Sequence, residues 1–160
     1  MSQVVCFHNP NEENGYLSNW YLSRFEYDGI SFSSMEQYMM YCKAKCFGDS
    51  EITKQILEIE DVAEIKALGR LVKNYDDHHW NGIRQIVVFS GLYAKFSQNE
   101  ALKKQLLGTG DAVLAECAVR DPIWGIGLSV HDPDRFDRCK WKGQNLLGYA
   151  LMMVRQQISR

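Results

Sequence analysis

The sequence predicts an α+β fold, mostly helical, with a few short strands and an N-terminal hairpin. Three observations carry that expectation. After residue 33, apolar residues recur at three- and four-residue spacing over most of the chain, and capping residues bracket those stretches. Asp28-Gly29 stands between two short alternating segments, Phe25-x-Tyr27 and Ile30-x-Phe32, the strongest short hairpin signal available. Residues 4–7 and 113–118 add two segments with the length and apolar character of strands, the second of which a helix fits as well.

Taken in order, Val4-Val5-Cys6-Phe7 reads as a strand and residues 9–15 as a polar loop. The segment Tyr16-Leu17-Ser18-Asn19-Trp20 mixes large aromatics with Ser and Asn, which is the chemistry of a pocket wall. A capped turn fits that composition equally well. The hairpin then delivers the chain into residues 33–47, the helix around which the rest is organised. Wound at about 100° per residue, Met35, Tyr38, Met39, Cys42 and Cys46 gather on one stripe. Glu36 and Lys43 fall on a second face beside Met40 and Phe47. Two apolar faces predict a helix buried on more than one side. An acid and an amine embedded there invite shifted pKa values, and such values cluster at functional sites. The bland alternative uses the same residues. Ser33 and Glu36 fit the S-x-x-E capping box, Ser34 and Gln37 fit it one residue later, and Lys43 can snorkel its head to water. Spacing alone leaves both readings open.

From residue 50 the pattern is helical through Ile52, Ile56 and Ile59. Asp61 can cap a second helix through Val62, Ile65 and Leu68, ended by Gly69. Arg70 follows directly, so this step either offers backbone and a guanidinium to phosphate or is a plain helix end with a solvated arginine. The longest helix opens at Asp76-Asp77-His78-His79-Trp80, with Ile83, Val87 and Ala94 on one flank and Val88, Leu92 and Phe96 on another. Its two histidines are expected at the surface. Asn99 is placed to cap residues 100–107, closed by Gly108. Residues 121–127, Asp-Pro-Ile-Trp-Gly-Ile-Gly, form a glycine-punctuated loop. Asp121, Trp124, Gly125 and Gly127 suit a ligand clamp made of a carboxylate, a stacking face and closely approaching backbone. It is not a dinucleotide fingerprint, because Val130 occupies the third glycine position. A polar loop over 132–143 leads to Asn145, which starts a final helix carrying Leu147, Leu151, Val154 and Ile158.

At 160 residues the chain reads as a single domain, 1–160, able to bury about two thirds of its unfolded surface. Lys plus Arg number 18 against 20 Asp plus Glu, and the resulting −2 argues against broad nonspecific binding to nucleic acid or anionic membrane. No apolar run approaches a membrane span, and the first residues lack the pattern of a signal peptide. Five scattered cysteines without a secretion signal point to a reducing cytoplasm. Cys42 and Cys46 could ligate zinc with His78 or His79, but their spacing equally suits buried helix positions, and no metal site is expected.

Several of these segments taken together resemble the NADAR, or YbiA-like, family. The matching marks are Leu17-Ser18-Asn19-Trp20, Ser34-x-Glu36-x-Tyr38 to Lys43, Gly69-Arg70, Trp80, Ala94-Lys95-Phe96, Asp121-x-x-Trp124-Gly125-x-Gly127 and Asn145-x-Leu147-Gly148-Tyr149. They run in the family's order over almost the whole chain. The chain departs at Gln37, where the family often has His, and over 131–143, which is longer and more charged than in bacterial metabolite-repair members.

The resemblance implies a compact, mostly helical α+β domain that hydrolyses N-glycosidic bonds. One branch of the family acts on ribosylamino-pyrimidine phosphates of riboflavin synthesis, and another removes ADP-ribose from guanine in nucleic acid. The family name itself reflects a proposed link to NAD and ADP-ribose. Carried over residue by residue, the resemblance makes Glu36 and Lys43 catalytic, with Asp121 assisting them or holding the ribose. It also makes Ser18, Asn19, Trp20, Gly69, Arg70, Trp80, Trp124, Gly125, Gly127, Asn145 and Gly148 substrate-binding, with Trp124 near the base and Gly69-Arg70 near phosphate. No cofactor and no obligate protein partner are implied; the partner is a nucleotide-sugar or ADP-ribosylated guanine. A second function class, a non-catalytic reader of ADP-ribose or an NAD-derived nucleotide, would also use Arg70, Trp80 and Trp124. Such a reader has no need of an acid and an amine on one buried helix.

Overall fold

Hairpin, helix and strand signals become elements in the order expected from the sequence. The computed structural model describes residues 3–160. Strand β1 (Val4–Phe7) is followed by a 3-10 turn at Gly15–Leu17 and then by the hairpin strands β2 (Leu22–Tyr27) and β3 (Ile30–Ser34). Asp28 and Gly29 both take positive φ, 50° and 76°, as a tight primed turn requires. Helices α1 (Met35–Cys46), α2 (Ser50–Leu57), α3 (Val62–Gly69), α4 (Asp77–Gln98) and α5 (Glu100–Gly108) follow. Strand β4 (Val113–Glu116) and helix α6 (Leu146–Ile158) come last. The expected loop over 132–143 winds into two 3-10 turns, Pro133–Phe136 and Arg138–Lys140, capped by the side chains of Asp132 and Asp137.

The chain divides into two compact units. One is Leu22–Gln98; the other combines the chain up to Tyr21 with Asn99–Arg160.

In Leu22–Gln98 the hairpin strands pair antiparallel with Phe25 opposite Phe32. Tyr38 of α1 meets the rings of Phe25, Tyr27 and Phe32 edge-on at 5.9, 5.3 and 5.4 Å. Such tilted contacts match the ring quadrupoles and lock the helix to the hairpin. Gly91 is what lets α4 reach the same ring, because a Cβ there would stand 2.3 Å from Tyr38 Cε1. At its far end α4 closes the edge of β2. The Gln98 amide accepts from the Glu26 N–H at 2.7 Å and donates to the Glu26 carbonyl at 2.8 Å, which satisfies an otherwise open strand edge. Asp49 caps α2 through Ile52 N–H and also binds Lys73 N–H at 2.9 Å. Asp61 caps α3 through Glu64 N–H, as its position before the apolar spacing predicts.

In the other unit β1 and β4 form a parallel pair with Val4 opposite Val113 and Phe7 opposite Glu116. All of β4 is buried. Helix α6 lies on it through two residues. Gly148 has no room for a side chain, since a Cβ would fall 2.1 Å from the Leu114 carbonyl oxygen. Asn145, at φ 53° and 0 % exposed, accepts from Glu116 N–H at 3.1 Å and donates to the Leu114 carbonyl at 2.9 Å. Arg155 pins the far end of the helix to Thr109 and to the Ala112 carbonyl. The expected Asn99 cap is made by its carbonyl, which accepts from Lys103 N–H at 2.8 Å, and not by a side-chain cap bond.

Candidate active site

The two capping registers open to α1 are decided by tertiary contacts. Ser34 is the N-cap, and its Oγ accepts from Gln37 N–H at 3.1 Å. Gln37 Oε1 accepts from the N–H and the hydroxyl of Ser33. Its Nε2 donates to the carbonyls of Ile56 and Ile59 at 3.0 and 2.9 Å. One amide thus closes the start of α1 and the end of α2 together. The cap belongs to Ser34 and Gln37 and not to Ser33 and Glu36, so Glu36 is a carboxylate only 6 % exposed on the first turn of a buried helix.

Lys43 lies two turns further along the same face, half-buried. Its Nζ donates to the Gly69 carbonyl at 2.7 Å and sits 4.4 Å from the centre of the Tyr75 ring. Phe47 stacks edge-on against Tyr75 and His79. Loss of hydration is the largest influence on the amine and lowers its pKa; Arg70 lowers it further, while Glu36 and Asp77 raise it. Tyr75 donates to Asp77 at 2.7 Å, and burial, then that bond, pushes the phenol up to about 12. Gly69 serves packing as well as its carbonyl: a Cβ there would stand 2.0 Å from Met40 Sδ. This unit therefore brings Glu36, Lys43, Gly69 and Arg70 into one electrostatic neighbourhood. Trp80 is buried in the first turn of α4.

The other unit gathers the remaining sequence-selected residues. Asp121 Oδ1 accepts from Ile123 N–H at 3.1 Å and Trp124 N–H at 2.9 Å, so one oxygen of this carboxylate shapes the loop it begins. Gly125 is buried, with no space for a Cβ between Ala118 and the Glu116 carbonyl, and Gly127 takes φ 72°. Backbone bonds from Gln144, Asn145 and Leu147 to Pro122, Gly125 and Trp124 hold the loop against the start of α6. Trp124 remains half-buried. Asn145 and Gly148, which the resemblance places among substrate contacts, are committed to the β4–α6 junction. Ser18 and Asn19 are buried, and Ser18 Oγ accepts from Trp20 N–H at 3.2 Å, the capped-turn alternative for that segment.

The NADAR domain family model matches residues 6–159. The chain belongs to the NADAR family. This NADAR chain is 40 % identical to an N-glycosidase of Acanthamoeba polyphaga mimivirus, over 97 % of this chain and 96 % of the relative. It is 34 % identical to a riboflavin biosynthesis protein of Vibrio vulnificus, over 99 % of this chain but 39 % of that longer protein. The solved structure of the E. coli protein YbiA superposes with a TM-score of 0.81 at 26 % identity, covering 99 % of this chain and 86 % of that one. The mostly helical α+β architecture expected from the sequence is therefore the NADAR fold.

Three charged or aromatic features of this NADAR chain acquire their setting only in the structure. Tyr75 sits in the irregular segment before α4, where no periodicity singles it out. Glu116 is 7 % exposed, with His8 Nδ1 2.9 Å from its Oε1. The signal was an acid inside the apolar run Val113 to Ala118. Lys95 is wholly buried in α4, an amine between Leu92 and Phe96 in a core stripe. Among the described residues no three of His, Cys, Asp and Glu converge as a metal site would require. No helix among them is long and apolar enough to cross a membrane.

Proposed function

We propose that this NADAR chain is an N-glycosidase, cleaving the bond between C1 of a ribose and a nitrogen of its base. The observation that carries the reading is the half-buried Lys43 amine with its lowered proton affinity, on the same helix as the buried Glu36 carboxylate. Relatives named N-glycosidase support the same chemistry. The family match runs through both units, and residues 1–160 are accordingly read as one functional domain.

The mechanism uses side chains alone. Burial makes the neutral amine of Lys43 accessible nearer neutral pH than an ordinary lysine allows, and the neutral amine is the nucleophile. It attacks C1 of the opened ribose, the C1–N bond to the base breaks, and the base leaves with a proton. The resulting imine between Lys43 and the sugar is hydrolysed by water, which regenerates the amine and releases the sugar aldehyde. Glu36 stabilises positive charge on the sugar and takes a proton from that water. Arg70 engages substrate phosphate through charge-assisted bonds. The resemblance adds Asp121, to assist Lys43 and Glu36 or hold the ribose, and Trp124, to stack near the leaving base.

Two substrates share this bond: ADP-ribose on guanine, in a nucleotide or nucleic acid, and the ribosylamino-pyrimidine phosphates of riboflavin synthesis. The resemblance supports the first. The name of the Vibrio relative supports the second. Parallel incubation with ADP-ribosylated guanosine and the riboflavin intermediate, read by mass spectrometry, separates them by the release of free ADP-ribose or free ribose phosphate. Binding of ADP-ribose without release from either substrate would replace the enzyme reading with that of a binding module.

A further inference from the structure

Two acceptors hold the Lys43 amine. One is the Gly69 carbonyl, in the last turn of α3, where helix carbonyls lack partners within the helix; it accepts from Nζ at 2.7 Å. The other is the face of the Tyr75 ring, whose centre lies 4.4 Å from Nζ, within the range at which the negative face of an aromatic ring attracts an N–H or a cation. The ring is itself held at two places. Phe47 meets it edge-on at 5.4 Å and 67°. Its hydroxyl donates to Asp77 Oδ1 at 2.7 Å, and Asn81, one turn along α4, donates to Asp77 Oδ2 at 3.1 Å. Tyr75 lies in the irregular stretch between α3 and α4 and is 43 % exposed. A ring that served to anchor the core would be buried; this one is fixed at its rim and turns its face to the amine.

We propose that Tyr75 is a positioning residue: together with the Gly69 carbonyl, its ring face orients the Lys43 amine so that the nitrogen lone pair points at the sugar. The inference rests on Lys43 being the nucleophile of the glycosidase reaction. A neutral amine carries two N–H bonds and one lone pair, set tetrahedrally about nitrogen with Cε. Neither a carbonyl oxygen nor an aromatic face can donate to the lone pair, so each takes an N–H. With the carbonyl alone, the lone pair would be free to occupy either of the two other positions about nitrogen. The ring removes one of them and leaves the direction away from both acceptors. In the ammonium form that third position holds the proton that must leave, so deprotonation uncovers the lone pair where attack requires it, without a rotation. The Tyr75 hydroxyl is engaged by Asp77, so the ring face and not the phenol proton acts on the amine. That division tells two substitutions apart.

The test measures kcat and KM of the full chain on ADP-ribosylated guanosine and on the riboflavin intermediate, for the wild type, Tyr75→Leu and Tyr75→Phe, with urea unfolding of each. Tyr75→Leu keeps an apolar side chain without an aromatic face. It should lower kcat by about 10–100-fold and leave KM nearly unchanged, as misorientation of a reacting group does. Tyr75→Phe keeps the face and its contact with Phe47, and should recover most of that loss although the bond to Asp77 is gone. If Tyr75→Leu does not unfold cooperatively, Tyr75→Met is measured in its place. A Tyr75→Leu chain with wild-type kcat, a rise confined to KM, or a Tyr75→Phe chain as slow as Tyr75→Leu would overturn the proposal and leave Lys43 as the nucleophile. A wild-type chain that cleaves neither substrate, or that cleaves one while borohydride traps no sugar on Lys43, would overturn the nucleophile itself and the proposal with it.

Discussion

Lys43 is held between opposing influences, and their balance can be read from a pH profile. Desolvation and Arg70 favour the neutral amine; Glu36 and Asp77 favour the ammonium. The fraction of reactive amine therefore rises with pH, and the alkaline rise of kcat/KM should have its midpoint below the ordinary 10.5 of a lysine. Replacing a neighbour should move that midpoint in a direction fixed by its sign. Arg70→Ala removes a cation and should shift it to higher pH, while Glu36→Gln removes an anion and should shift it lower. Rate profiles of the two variants check this, and midpoints moving in the same direction would contradict it. Trp124 makes a different kind of contribution. If it stacks on the base, Trp124→Ala should raise KM by the equivalent of about 1–3 kcal/mol and leave the urea midpoint nearly unchanged. Loss of a cooperative unfolding transition would identify it as a core residue instead.

At the scale of elements, two glycines bring helices against their neighbours with unequal tolerance. A Cβ at Gly69 would meet the Met40 side chain, which can swing aside, whereas a Cβ at Gly148 would meet the Leu114 carbonyl at 2.1 Å, which cannot. Gly148→Ala should therefore destabilise by upwards of about 3 kcal/mol and Gly69→Ala by about 1 kcal/mol, partly offset by helix propensity. Urea midpoints would check the order. These contacts also mark where sequence reasoning reaches its limit. Asp28-Gly29 and Asp61 act on chain neighbours, so the hairpin and the start of α3 were legible. The buried α1, with Glu36 and Lys43 on one face, was legible from periodicity. The choice between Ser33 and Ser34 as its cap was not, because Gln37 spends its amide on Ile56 and Ile59 carbonyls from α2. Gly69 carries the ordinary mark of a helix end, yet its lack of a side chain serves Met40. Asn145 and Gly148 look like ligand contacts until β4 is seen beneath them, and Tyr75 acquires meaning only once Lys43 lies over its ring.

For the molecule as a whole, Lys95 ties stability to pH. Burial holds its amine down to about 7, against 10.5 for an ordinary lysine. Between those values the unfolded chain binds more protons than the folded one, so stability should climb as pH rises through this window and be least favourable below it. This group alone contributes a slope of up to about 1.4 kcal/mol per pH unit. Lys95→Met should flatten the rise between pH 7 and 9 in urea unfolding, and an unchanged slope would show that other groups set it.

Attack of Lys43 on the sugar implies an imine that a reductant can trap. Borohydride added while the wild-type chain turns over ADP-ribosylated guanosine or the riboflavin intermediate should reduce the imine to a stable amine, with peptide mapping placing the sugar on Lys43. Turnover that continues with no adduct, or with the adduct on another lysine, would contradict it.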